Sequence, residues 1–161
     1  MHEKIVVPLD GSELAECVLP HVEDVAGGDK TREVILVSIT EPVVVQTSSP
    51  EMGGWDNPPS EKVTMTVGKK ERQAQRYLDK VAKKLDKEGI KVRTKVLIGN
   101  PAEEITSFTE SSGADLIIMA SHGRSGPSRW THGSVAEKVF RASCVPILMV
   151  RAPGCGPIAS R

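Results

Sequence analysis

Ala114-Asp115-Leu116-Ile117-Ile118-Met119-Ala120-Ser121-His122-Gly123-Arg124-Ser125-Gly126 starts as a strand and ends as a loop of small residues. Its apolar residues run consecutively instead of alternating, as in a strand covered on both faces within a parallel sheet. Downstream, Thr131-His132-Gly133-Ser134 opens a helix expected from about Ser134 to Arg141, with Val135, Val139 and Phe140 facing inward. Val145-Pro146-Ile147-Leu148-Met149-Val150 then reads as another strand. Strand, glycine loop, helix, strand is the unit from which parallel sheets are built.

The same alternation extends toward the amino terminus. Ile5-Val6-Val7 is a short strand, stopped by Pro8-Leu9-Asp10-Gly11-Ser12. Leu14, Ala15, Val18, Leu19, Val22, Val25 and Ala26 follow with helical period, and Pro20 should bend or shorten that helix. Val34 to Ile39 is a second strand, apolar at nearly every position. Residues 41–66, rich in Pro, Gly, Ser and Thr, are expected to form a long flexible surface loop. A helix is expected from about Val67 to Lys87, with Ala74, Tyr77, Leu78, Val81, Ala82 and Leu85 on its apolar side and a solvated charged face opposite. Val92 to Ile98 alternates, as a strand near a sheet edge does. Gly99-Asn100-Pro101 turns into a helix carrying Ala102, Ile105 and Phe108 inward. Strict alternation of strand and helix predicts one α/β domain with a parallel sheet and helices on both faces.

Bulk composition removes several functional classes. Lys plus Arg and Asp plus Glu each number 21, so there is no basic excess to attract nucleic acid. No apolar run approaches the roughly 20 residues that span a bilayer. The cysteines, Cys17, Cys144 and Cys155, are odd in number and lack metal-type spacing, which points to a reducing cytoplasm and away from a disulfide framework. Cys17 and Cys144 are expected as small core residues. The last residues, 152–161, form a tail.

Ligands of open parallel sheets bind beyond the carboxyl ends of the strands. Three unusual segments leave such ends: Pro8 to Ser12, Gly99 to Pro101, and Ala120 to Gly126. Gly133-Ser134 at a helix start suits an anion, because glycine lets amides approach and the helix terminus presents free N–H groups. Ser134 can donate to a phosphate oxygen, cap the helix, or do both, and Arg124 can supply positive charge. Asp10 is equally open to two readings, a helix cap or a ligand contact. No P-loop and no G-x-G-x-x-G opens a helix here. The paired acids of a phosphorylatable receiver and the G-x-S-x-G nucleophile elbow are also absent. No catalytic group and no metal-ligand set is assigned.

The run from Asp115 to Gly126 with His132 to Val139, together with Val7 to Ser12 and Gly99 to Ile105, resembles the universal stress protein family. The resemblance covers roughly residues 3 to 151, apart from the 41–66 loop. ATP-binding members share Gly, two residues, Gly, nine residues, Gly, then Ser or Thr. That register falls here on Ala120, Gly123, Gly133 and Ser134, so the first glycine is replaced. The added methyl either crowds the ligand or, with ordinary negative φ at that residue, matters little.

The resemblance implies a doubly wound, Rossmann-like, five-stranded parallel sheet in the order 3-2-1-4-5. It implies ATP with Mg, Asp10 contacting the ribose or adenine, and an apolar adenine slot of Pro8, Leu9, Ile39 and Met119. Gly123, Gly133, Ser134 and Val135 would cradle the phosphates, with His122 and Arg124 close by. It further implies a homodimer through the fifth strand and a signalling module whose nucleotide state is read by an unidentified protein partner. Any hydrolysis or self-phosphorylation would be slow and incidental. The alternative is an interaction module of the same fold that holds no nucleotide.

Overall fold

The computed structural model describes residues 2–27, 33–42, 60–121 and 135–151, with 60–67 described by backbone alone. Its elements are β1 (Lys4–Pro8), α1 (Glu13–Glu16), α2 (Leu19–Ala26), β2 (Glu33–Thr40), α3 (Ser60–Asp86), β3 (Val92–Ile98), α4 (Pro101–Ser112), β4 (Leu116–Ala120), α5 (Val135–Ala142) and β5 (Ile147–Val150). All strand pairs are parallel, in the order β3-β2-β1-β4-β5. Val6 is level with Ile35 of β2 and Ile117 of β4, which fixes the register through the centre.

Side chains alternate across a strand, so the central strands feed two cores. Ile5, Val7, Val34, Leu36 and Ile118 pack with Val18, Val22, Leu78, Val81 and Leu85 on the side of α1, α2 and α3. Val6, Ile35, Val37 and Ile117 pack with Ala102, Ile105, Ala136 and Val139 on the side of α4 and α5. Each fully buried Ile or Val stabilises the fold by about 1.5–3 kcal/mol through desolvation alone.

The first helix divides as Pro20 requires. Its ring would collide with the carbonyl four residues earlier, at Glu16. Glu16 is the last residue of α1, and Pro20 lies in the first turn of α2.

Four local expectations need correction. The long helix starts at Ser60, not Val67, so residues 60–66 are helical backbone. The β-branched residues Val63, Thr64 and Thr66 with Gly68 have low intrinsic helix preference, and this hid the true start. β5 begins at Ile147, after Pro146, which has no N–H for a ladder. Phe140 is 65% exposed and Val135 40%, so α5 buries only Ala136 and Val139. α5 flanks the last strand of the sheet, and no described element lies beyond it to cover those side chains. Cys144 is exposed in the turn between α5 and β5, while Cys17 is half-buried against the core. The rest of the expected loop, 43–59, and the tail, 152–161, lie outside the described residues.

Candidate functional site

β1 and β4 are neighbours in the sheet, yet the helices that follow them lie on opposite faces. β1 leads to α1 and α2 on one face, and β4 is followed by α5 on the other. Such a reversal is where doubly wound sheets hold ligands, in a crevice beyond the carboxyl ends of the two strands.

Asp10 stands at its mouth, half-buried, followed by Gly11 at φ +83°, a left-handed conformation natural to glycine. The carboxylate accepts, through Oδ1, the Ser12 backbone N–H at 2.9 Å and the Ser12 hydroxyl at 2.5 Å. Ser12 Oγ in turn accepts the Ala15 N–H at 3.2 Å, so Ser12 is the cap of α1. Asp10 therefore steadies the capping residue from two positions back and is not itself the cap.

The four apolar slot residues divide between faces. Met119 is 5% exposed and packs on the α4–α5 side, where Ile39 also lies half-buried. Pro8 has the parity of Val6 and so shares that face. Leu9 is 2% exposed and belongs to the opposite core, so its side chain is committed to packing. The Leu9 N–H is also engaged, donating to the Val37 carbonyl at 2.8 Å.

Ala120 is the last residue of β4, in extended backbone that any residue adopts. Its methyl packs against the α1–α3 core, away from the face carrying Ile39 and Met119. The next residue, Ser121, donates its N–H to the Val150 carbonyl at 2.8 Å, holding the exits of β4 and β5 together. Val135 is the first residue of α5 and is half-exposed at that helix's amino end. His122, Gly123, Arg124, Gly133 and Ser134 lie outside the described residues.

Tyr77 lies on the apolar stripe of α3, but its polar end is a feature that the stripe does not reveal. Its ring packs against the α1–α3 core. Its hydroxyl is buried and makes no hydrogen bond of acceptable geometry. Burial, then the adjacent Glu16 carboxylate, then Asp10, push its ionisation well above the ordinary tyrosine range. A tyrosine on an apolar stripe is the available signal, since a buried phenol needs a partner. Two shallow concavities among the described residues lie elsewhere. One is lined by Asp79, Lys83 and Thr94 between α3 and β3, and the other by Glu3, Lys91 and Asp115 at the amino ends of the strands.

Residues 1–151 match the family model described as the universal stress protein family. The chain belongs to that family. Universal stress protein MJ0531 of Methanocaldococcus jannaschii is 33% identical over 95% of this chain and 84% of its own length. The solved structure of MJ0577, a universal stress protein of the same organism, superposes with a TM-score of 0.79 at 31% identity, over 96% of this chain and 99% of that one. A universal stress protein family member from Arabidopsis thaliana, solved with AMP bound, shares the fold with a TM-score of 0.61 at 13% identity, over 94% of this chain and 92% of that one. The parallel order β3-β2-β1-β4-β5 is thus the universal stress protein fold. Among the described residues no helix is long and apolar enough to cross a membrane.

Proposed function

We propose that this universal stress protein binds ATP, with Mg accompanying the triphosphate, in the crevice between the exits of β1 and β4. The observation that carries this reading is Asp10, a half-buried carboxylate at the point where the two connections diverge. A carboxylate there accepts hydrogen bonds from ribose hydroxyls or an exocyclic amine. Ile39, Met119 and Pro8 supply an apolar wall for the purine on one face. The phosphates extend toward the start of α5, where Val135 and its amide neighbours form the amino end of a helix. By motif register His122, Gly123, Arg124, Gly133 and Ser134 complete that half. Leu9 contributes main chain only, and the methyl of Ala120 points away from the purine wall. The AMP-bound relative supports an adenine nucleotide as the ligand class.

Occupancy of the crevice is the signal, read by a partner protein in a cytoplasmic stress response. The assembly is a homodimer through β5. Leu148 and Met149 of that edge strand are 38% and 39% exposed. The opposite edge, β3, displays Arg93 and Lys95, the charged protection typical of an edge that stays unpaired.

Isothermal titration with ATP-Mg tests the reading, with Gly133→Val as the control. Heat from the parent that disappears in the variant is expected. An absence of heat from both would instead favour a nucleotide-free interaction module, the reading that the Ala120 departure leaves as the alternative.

A further inference from the structure

We infer that Tyr77 is a positioning residue for the proposed nucleotide site, acting through Glu16 and the turn that carries Asp10. This rests on the nucleotide reading above and adds to it a residue from outside the crevice. Three observations converge on it. Among the described residues, the Tyr77 hydroxyl is the buried side-chain oxygen without a hydrogen-bond partner. A native structure leaves few such groups, because each has given up its hydrogen bonds to water without replacing them. Secondly, Glu16 lies beside that hydroxyl, and Lys84 reaches the same carboxylate with Nζ 3.4 Å from Oε2. Tyr77 and Lys84 are seven positions apart on α3 and so share one face of the helix. Glu16 is thereby bracketed by two residues of α3. Thirdly, Asp10 is the next carboxylate acting on the hydroxyl, and it is tied to α1 through Ser12.

The arrangement links three elements. The turn after β1 holds Asp10, α1 holds Glu16, and α3 supplies Tyr77 and Lys84. α1 has only four residues and cannot hold its own orientation by internal hydrogen bonds. Its direction is set by what it packs against, and Ala15 buries it on the α3 side of the sheet. When this phenol closes a hydrogen bond to Glu16 on nucleotide binding, it fixes the rotation of α1, and with it the aim of the Asp10 carboxylate. Binding at Asp10 draws on that aim, so loss of the hydroxyl weakens binding without touching the ligand.

Tyr77 is the only tyrosine in the chain, so it can be observed alone. Replacing it with 3-fluorotyrosine gives a single fluorine resonance, and Tyr77→Phe removes the hydroxyl while keeping the ring. The expected results are a resonance that shifts on ATP-Mg addition and a Tyr77→Phe variant that binds about tenfold more weakly, one hydrogen bond's worth. Far-ultraviolet circular dichroism of that variant stays unchanged, and Glu16→Gln lowers affinity in the same direction. In an Asp10→Asn background Tyr77→Phe has no further effect, which a merely structural tyrosine would not produce. If the parent binds ATP while the resonance stays still and Tyr77→Phe binds normally, the positioning role is overturned and the nucleotide reading stands. A parent that binds no nucleotide overturns both.

Discussion

Replacing Asp10 by Asn separates its two jobs. In the parent, Oδ1 accepts from the Ser12 N–H and hydroxyl, and Ser12 caps α1. The amide oxygen of Asn accepts both bonds in the same geometry, so the fold loses little. The expected loss of stability is under about 1 kcal/mol, the net worth of one exchanged hydrogen bond. Asp10→Ala removes the acceptor and should cost about 1–2 kcal/mol, comparable to deleting a helix cap. Nucleotide binding responds in a different proportion. A hydrogen bond to a charged group contributes about 1.5–3 kcal/mol, so Asp10→Asn should weaken ATP roughly ten- to hundredfold. Urea unfolding gives the first quantity and isothermal titration the second. An Asp10→Asn protein that is markedly unstable, or that binds ATP as the parent does, refutes the division of roles.

Tyr77 should make the protein sensitive to alkali. Its proton is held in the folded state above the unfolded value of 10.0, by burial first and then Glu16 and Asp10. Stability from this group is complete below the unfolded value and declines as pH rises above it, because the unfolded chain releases the proton first. The difference between parent and Tyr77→Phe in urea midpoints across that range should reveal the decline, and parallel curves would exclude it. Gly99→Ala should lose about 1–2 kcal/mol, since Gly99 holds φ +149° and a Cβ there stands 2.6 Å from Glu104 Oε1. Urea unfolding measures it, and an unchanged midpoint would mean that the turn after β3 relaxes freely. Leu148→Lys with Met149→Lys should convert a dimer to a monomer in sedimentation velocity, whereas Lys95→Ala on the other edge should not. A dimer unaffected by the β5 pair would place the interface elsewhere.

Much of the architecture was legible because the central strands are continuous apolar runs. Val34–Ile39 and Leu116–Met119 admit no alternation, and the helical stripes between them are strongly periodic. Alternation in β3 likewise marked it as an edge, and its burial follows that pattern from Val92 to Val96. Boundaries were less legible where composition contradicts packing. The start of α3 is masked by β-branched residues and a glycine, and the exposure of Phe140 depends on what lies beyond α5, which no local pattern encodes. In the candidate site, the turn after β1 was readable from Asp10-Gly11-Ser12 because φ > 0, capping and charge coincide there. The separation of Leu9 from Ile39 and Met119 was not, since it follows from strand parity and register. Tyr77 was readable only as a core residue, because Glu16 comes beside it only when α1 and α3 meet in the tertiary fold.

Amide chemical-shift mapping with ATP-Mg tests the central claim most directly. The account predicts the largest shifts at Asp10, Ile39, Ala120 and Val135, around the exits of β1 and β4. Shifts concentrated on Glu3, Lys91 and Asp115 at the opposite end of the sheet, or no shifts at saturating nucleotide, would contradict it.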